Sequence, residues 1–564
     1  MNDRSSSSFC GPSVRILPLG GCGEVGLNAT LLLDGEDGLL IDCGALLGLH
    51  NAPGAEKAVP GFEPLFEAGR RIHGVVLTHG HEDHVGALPA LLAEKSLPVV
   101  GTPLTLALAR SRMERPNAPV VAEARIAART RMLQTPFGAT VQLGPFTIEF
   151  IRVTHSLPES AALSIRTRAG HIVHSGDFKL DPTPYAGPPT DTGRLSELGD
   201  EGVDLLLSDS TNAERPGHGP SETKVAETLE QMVVESSGRV VVTLVSSHLH
   251  RIRATVQAAL RSGRRVAIVG RALEEAWKLG VQSGYLPFDP GMLVRADRIG
   301  RLPRREVLVL ATGAQGEWQG GLHRIAFGAE SGLWCEAGDR VIVSARVIPG
   351  NEVSVRRVQN QLLRRGAEVV NDRMALVHCS GHAHAGEQAQ MLRLVRPRYF
   401  VPVHGERAML QAHAQTAESA GLSADRVLII ENGESVVLRG GEVVRGPKEA
   451  VSQRAVDSTG RLLEWDDVRA RNRIGRRGLA VVSVVLDEVG RPLAEPVVSF
   501  KGVSTSAVVT TAVSVAVKQA IESARGIVDE SMVRRAARTA LKGKQRLVPT
   551  IECHILRVRR PICE

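Results

Sequence analysis

From Val14 onward, short apolar runs alternate with turn residues: RILPLGG, ATLLLDG and DGLLIDCG. Runs of this length, bounded by Gly and Asp, read as strands of a packed sheet. The period then changes within IHGVVLTHGHEDHVGALPALLAEK, where an apolar strand passes through a polar loop into a segment with helical apolar spacing. Further strands follow in TVQLGPFTIEFIRVTH, ALSIRTRAGHIVHSGDFK and VDLLLSDST. Their shortness and their Gly and Pro punctuation predict a two-sheet sandwich flanked by helices over residues 1–214, with a loose, Ser-rich start at 1–13.

The texture changes near Ser221. A helical stretch, SETKVAETLEQMVVES, leads into GRVVVTLVSSHLHRIRATVQAALRSGRRVAIVG, and the alternation continues through REVLVLATG and RVIVSAR. Helix alternating with strand predicts a parallel α/β unit over 215–366. Strand-rich segments return in AEVVNDRMALVHCSGH and PRYFVPVHGE, so the α/β unit reads as an insertion into a sandwich resumed over 367–448. Residues 449–464 read as a linker. The end, 465–564, reads as a small α+β domain: a strand pair in LAVVSVVLDEVGRPLAEPVVSFKG, a helix in DESMVRRAARTALKGK and a last strand in VPTIECHILRV.

The 564 residues correspond to about three or four domains. Hydrophobic residues at 43% and charged residues at 23% exclude a disordered or collagen-like chain. No apolar run reaches the ~18–20 residues of a membrane helix, and the start lacks the apolar core of a secretory signal, so a cytoplasmic protein with no membrane partner is expected. The seven cysteines are scattered without a CxxC pair, which predicts reduced thiols. The formal charge of +7 is concentrated at the end, where residues 446–564 hold 21 Lys and Arg against 13 Asp and Glu. That asymmetry fits a polyanion partner, while 3% aromatics argue against extensive base stacking. Within this segment Arg469, Arg471, Arg473, Arg476 and Arg477 form a basic tract that reads either as an RNA contact or as a solvated arm.

The strongest chemical signal is Thr78-His79-Gly80-His81-Glu82-Asp83-His84, directly after an apolar strand. Imidazole nitrogen and carboxylate oxygen are zinc ligands, and four such side chains, His79, His81, Asp83 and His84, fall within six residues. This motif cannot fill two metal shells alone. His155 in IRVTHS, Asp177 in VHSGDFK and His404 in VPVHGE each stand where a strand would stop, and they complete a set of seven candidate donors.

Here the chain resembles the metallo-β-lactamase-fold nucleases with a β-CASP insertion, and within them the ribonuclease J family. The resemblance rests on RILPLGGCGEVGLN, LLIDCG, VLTHGHEDHVGAL, HSGDFKLD, LLSDSTNAERPG, ATGAQGE, RVIPGNE, HCSGHA and VPVHGE. It implies an αββα sandwich with an inserted β-CASP α/β domain and a C-terminal α+β domain that mediates homodimer or homotetramer assembly. It implies two Zn2+ per subunit, with Mn2+ or Mg2+ as alternatives in activity: His79, His81 and His155 on one, Asp83, His84 and His404 on the other, and Asp177 bridging both. Asp42 is implied as a support for ligand orientation. Two such ions suit phosphodiester hydrolysis. His382 is implied in transition-state stabilisation or leaving-group protonation, with Asp209 orienting it or a water. Ser247, His248 and Leu249, with His378, Cys379, Ser380, Gly381 and His382, are implied to form a pocket for a 5'-terminal phosphate. The expected activity is 5'-to-3' exonuclease action on single-stranded RNA, with endonuclease activity besides and RNA-decay proteins as further partners. Departures are His248, where relatives often carry Asn, the run WQGGLHRIAFG after ATGAQGE, and few acidic residues after Asp42, which speaks against a structural calcium site.

Two other readings compete. A small-molecule metallohydrolase of the same fold would lack the inserted α/β unit. A non-catalytic RNA-binding subunit would have no physical need to retain all seven donors.

Overall fold

The computed structural model describes residues 11–49, 52–114, 126, 129–286, 291–330, 332–348, 350–524, 527–542, 544 and 547–558. Residues 1–10 of the expected loose terminus lie outside them. The chain divides into two compact units, Met1–Leu47 with Ala58–Gln453, and Gly48–Lys57 with Arg454–Glu564.

In the first unit an eight-stranded sheet runs in the order Glu442–Arg445, Val436–Arg439, Ser13–Gly20, Ala29–Asp34, Asp37–Ile41, Arg71–Val76, Val99–Gly101, Met132–Gln134. It packs on a six-stranded sheet ordered Thr140–Leu143, Phe146–Arg152, Ala161–Arg166, His171–His174, Leu205–Asp209, Tyr399–Val403. Between them lies one core containing Ile16, Leu32, Ile41 and Val76 from one sheet and Phe146, Ile148, Phe150, Leu163, Leu205 and Val401 from the other. Strand alternation sends Leu206, Val173 and Phe400 to the opposite face, where Leu195, Leu198, Met391 and Leu392 of the flanking helices cover them.

The insertion is a parallel five-stranded sheet in the order Arg265–Val269, Val307–Ala311, Val240–Leu244, Arg340–Ser344, Glu368–Val370. Both faces are buried: Val240, Val242, Leu308 and Leu310 pack to one side, Val241, Val309, Val341 and Val343 to the other. Its strands therefore read as continuous apolar runs. The last strand departs from the sequence reading. Glu368–Val370 pairs in parallel with Arg340–Ile342, so it belongs to the inserted sheet rather than to the sandwich resumed after 366.

In the C-terminal unit Leu479–Leu486 pairs antiparallel with Val497–Lys501 and parallel with Thr550–Arg557. Helices Ala507–Glu522 and Glu530–Lys542 cover this sheet through Val513, Val517, Val533, Ala537 and Leu541. The expected linker is partly ordered, since Ala455 and Val456 pair with Leu463 and Leu462. The basic tract is helical, over Trp465–Arg477. Among the described residues Cys22, Cys43, Cys335, Cys379 and Cys553 are buried and outside any disulfide, and no helix is long and apolar enough to cross a membrane.

Candidate active site

Parallel pairing gathers the candidate donors at one edge of the sandwich. Leu205–Asp209 lies between His171–His174 and Tyr399–Val403, parallel to both, so Asp177, Asp209 and His404 emerge together where these strands end. Across the core, Asp37–Ile41 and Arg71–Val76 run parallel and deliver Asp42 and the Thr78–His84 segment. Asp42 and His404 adopt φ of 58° and 53°. This left-handed conformation is rare outside glycine and is held here by the surrounding contacts.

Hydrogen bonds fix which ring nitrogens carry lone pairs. The Thr78 hydroxyl donates to Asp42 Oδ2 at 2.8 Å, so it accepts from His79 Nδ1 at 3.1 Å and leaves His79 Nε2 unprotonated. His155 Nδ1 donates to the Gly381 carbonyl at 2.7 Å, which leaves His155 Nε2 unprotonated. Those two lone pairs face His81 Nδ1 at 2.9 and 3.1 Å. Asp177 Oδ2 stands 3.6 and 3.7 Å from them and is buried with no hydrogen-bond partner. A proton on His81 Nδ1 can serve only one of these two lone pairs at a time and leaves Asp177 Oδ2 without a donor, whereas a cation among them would satisfy all four. Donors on a tetrahedral zinc at ~2.0–2.1 Å stand roughly 3.3 Å apart, close to the spacing found here.

A second set faces the other oxygen of the same carboxylate. His84 Nδ1 donates to Asp42 Oδ2 at 2.8 Å, turning Nε2 toward Asp177 Oδ1 at 3.2 Å and Asp83 Oδ2 at 3.6 Å. His404 Nδ1 donates to Asp177 Oδ1 at 2.8 Å, and its buried Nε2 lacks a hydrogen-bond partner 3.5 Å from Asp83 Oδ2. The sets His79, His81, His155, Asp177 and Asp83, His84, Asp177, His404 each bring their donor atoms within 4.8 Å of one another. This His/Asp cluster is capable of binding metal ions.

Burial holds His79 and His155 well below the usual histidine range, helped by the neighbouring imidazoles, and brings His81 down to about 4. Neutral imidazole is the ligating form. Burial acts against His404 too, but Asp177 and Asp83 overcome it and raise His404 to about 10.

His382 Nδ1 donates to Asp209 Oδ2 at 2.8 Å, while Asp209 Oδ1 accepts from the Thr211 amide and hydroxyl at 2.9 and 2.7 Å. Asp209 thus contacts His382 through one oxygen and Thr211 through the other. Ser380 Oγ accepts from Asn212 Nδ2 at 2.8 Å and from the His382 amide at 3.2 Å, which leaves its own proton free to donate. A Cβ on Gly381 would stand 2.8 Å from His155 Cε1, so glycine is required where the pocket segment meets the first donor set.

Family models match this chain as ribonuclease J, beta-CASP domain, over residues 237–362, as the metallo-beta-lactamase superfamily over 22–241, and as a Zn-dependent metallo-hydrolase RNA specificity domain over 369–428. Ribonuclease J of Mycobacterium tuberculosis is 38% identical over 497 residues, covering 87% of this chain and 87% of that protein. The chain belongs to the ribonuclease J family. It is also similar to ribonuclease J of Thermus thermophilus, 40% identical over 430 residues, covering 74% of this chain and 73% of that one. A crystal structure of an Enterococcus faecalis protein of unknown function covers 76% of this chain and 100% of its own, with a TM-score of 0.55 at 16% identity, a likeness of fold. The chain is a ribonuclease J family hydrolase, a metal-dependent ribonuclease with a metallo-β-lactamase fold, a β-CASP insertion and the RNA specificity region.

Within this ribonuclease J framework the expected phosphate pocket divides. Ser247, His378, Ser380 and His382 are half-buried, whereas Leu249, His248 and Cys379 are buried. His248 Nδ1 accepts from the Arg251 amide and its Nε2 donates to Glu222 Oε1 at 3.0 Å, so this ring serves a helix cap and a buried carboxylate. Cys379 Sγ donates to the same oxygen at 3.0 Å. Sequence reasoning missed the centre of this network. Glu222 takes Arg251 Nη2 on both oxygens, at 2.6 and 2.8 Å, and Arg251 Nη1 donates to His378 Nδ1 at 2.9 Å. Asn212 was missed as well. An acidic residue at the first turn of one helix and a cation in the first turn of the next were the only signals available.

Proposed function

We propose that the chain is a zinc-dependent ribonuclease that hydrolyses single-stranded RNA, acting as a 5'-to-3' exonuclease on 5'-monophosphate ends and also as an endonuclease. The observation that carries this reading is Asp177, whose two carboxylate oxygens face two separate donor sets. His79, His81 and His155 would hold one Zn2+, and Asp83, His84 and His404 the other, with Asp177 shared; Mn2+ or Mg2+ suits the same nitrogen and oxygen donors. Divalent cations there would supply Lewis-acid stabilisation of the phosphodiester oxygens and activation of water for attack on phosphorus.

The protein groups do the positioning. Asp209 holds His382 by Nδ1 and leaves Nε2 to face substrate, where it stabilises charge on phosphate or returns a proton to the leaving oxygen. The free Ser380 proton and the backbone of 378–382 would receive a terminal phosphate, and the fixed distance from there to the donors would measure one nucleotide per cut. His378 is kept neutral, at about 3, chiefly by burial and then by Arg251, and serves as an acceptor for that guanidinium. Homodimer or homotetramer assembly through the C-terminal unit, a cytoplasmic location and association with RNA-decay proteins complete the reading. The β-CASP match disfavours a small-molecule hydrolase, and the intact donor set disfavours a non-catalytic subunit.

The test is a time course on single-stranded RNA carrying either a 5'-monophosphate or a 5'-triphosphate, resolved to single nucleotides, beside His81→Ala. Mononucleotides released chiefly from the monophosphate form, and lost in the variant, are expected. Internal fragments from both forms alike would discard the terminal-phosphate ruler, and absence of metal-dependent cleavage would discard the ribonuclease.

A further inference from the structure

We infer that the C-terminal unit carries its own RNA-backbone site, in the cleft between helices Trp465–Arg477 and Glu530–Lys542. The inference rests on the ribonuclease reading for the identity of the polyanion, and on the cleft itself for everything else.

The cavity measures about 530 Å³ and is lined by Arg473 and Arg477 of the first helix, Arg534, Arg538 and Lys542 of the second, and Glu552 of the strand Thr550–Arg557. The spacing is regular. Each helix presents its cations at i and i+4, on one face and on the order of 6 Å apart along the axis. Such a ladder is commensurate with successive phosphates of an extended strand. Like charges at this spacing repel, and two such ladders facing one cleft repel further. Arg534 is anchored by Glu530 at 3.5 Å and by donation from Nε to the Ile551 carbonyl at 3.3 Å. Arg473, Arg477, Arg538 and Lys542 are exposed, and among the described residues no carboxylate pairs with them within 4.0 Å. One Glu552 does not balance five cations.

A ligand that relieves this repulsion must be polyanionic. Guanidinium forks suit phosphate oxygens, which they bind in bidentate fashion. Among the described residues no aromatic side chain lines the cleft, so bases find no stacking platform and recognition is confined to the backbone. Contacts of this kind are independent of sequence and weaken steeply with salt. The cleft is therefore a holding site for the strand, in a unit other than the one that carries the donor cluster.

The test uses the full chain with His81→Ala, so that the probe stays intact, and compares it with the same chain carrying Arg473→Gln, Arg477→Gln and Arg538→Gln. Binding of a fluorescent single-stranded RNA of about 20 nucleotides is followed by anisotropy across salt concentrations. Loss of three phosphate contacts lowers the slope of log K against log salt by about 2 and weakens binding at low salt at least tenfold. Inorganic phosphate at millimolar concentration leaves bound RNA in place; displacement from the parent but not the triple variant would identify a small-phosphate site and overturn the inference. Phenylglyoxal footprinting of the parent chain, read by mass spectrometry, gives a readout free of any folding effect, with RNA-dependent protection expected at Arg473, Arg477 and Arg538. An unchanged slope, or no protection there, overturns the cleft. If the chain with His81 intact still cuts RNA, only the cleft falls; if it neither cuts nor binds RNA, the ribonuclease reading falls with it.

Discussion

Replacing Glu222 by Met removes the carboxylate that faces Arg251, a side chain 1% exposed. The acceptors left to the guanidinium are the carbonyls of Ser344 and Cys379, both at 3.4 Å, the Ser344 hydroxyl at 3.2 Å, Cys379 Sγ at 3.7 Å and His378. Breaking a buried ion pair by removing one partner costs about 3–5 kcal/mol, because the other charge stays buried. The first unit has roughly 440 residues. At ~2.1 cal/mol/K of unfolding entropy per residue, each kcal/mol shifts its Tm by roughly 1 °C, so E222M should melt about 3–5 °C lower. Arg251→Met leaves Glu222 with His248 and the Cys379 thiol and should lose a similar amount. The double variant leaves neither charge, and well-packed apolar pairs are often as stable as the ion pair they replace. It should recover to within about 1–2 °C of the parent. Scanning fluorimetry on all four chains at one fixed metal concentration measures the cycle. A loss below about 1 °C in E222M, or a double variant as low as the sum of the singles, would refute the argument that charge imbalance rather than lost packing sets the cost.

Gly381→Ala brings a Cβ to 2.8 Å from His155 Cε1 and 2.9 Å from Ser156 N, which should cost about 1–3 kcal/mol and displace His155. Elemental analysis should show lowered metal content, and full occupancy would contradict the steric argument. Asp42→Asn removes the carboxylate that orients His84, and chelator competition should show about 10–100-fold weaker metal binding with the fold retained. Burial raises Glu222, but Arg251 and His248 more than offset it and hold the carboxyl well below its usual range. Its contribution to stability is therefore complete above about pH 4.3 and lost as pH falls below that value toward the folded-state pKa. In chelator, the Tm difference between the parent and Glu222→Gln should shrink between about pH 5 and pH 3; a constant difference would place the pairing elsewhere.

The donors were legible because each follows an apolar strand, so the side chain that ends the strand is the one that reaches the sheet edge. Asp177, Asp209 and His404 needed only that rule and parallel pairing to meet. Sheet membership was harder: Glu368–Val370 looks like any apolar run, and periodicity carries no partner. Helix Ala507–Glu522 was missed because AVVTTAVSVAVK is rich in β-branched residues, and packing of Val513, Val517 and Ile521 outweighs their local preference. Trp465–Arg477 buries Val468 alone, so no apolar stripe marked it as a helix. Glu222 and Arg251 stand on different helices, 29 residues apart, and nothing in either segment names the other.

The strand that ends at His404 has a consequence for timing. His404 lies 227 residues after Asp177, and its strand pairs with Leu205–Asp209 from the far side of the whole insertion. At about 5–20 residues per second of synthesis, roughly 10–45 s separate the two residues on the ribosome. During that interval the nascent chain holds His79, His81, His155 and Asp177 but cannot close the second donor set. The order of residues along the chain thus delays completion of the centre until the insertion that bridges those two strands has been made.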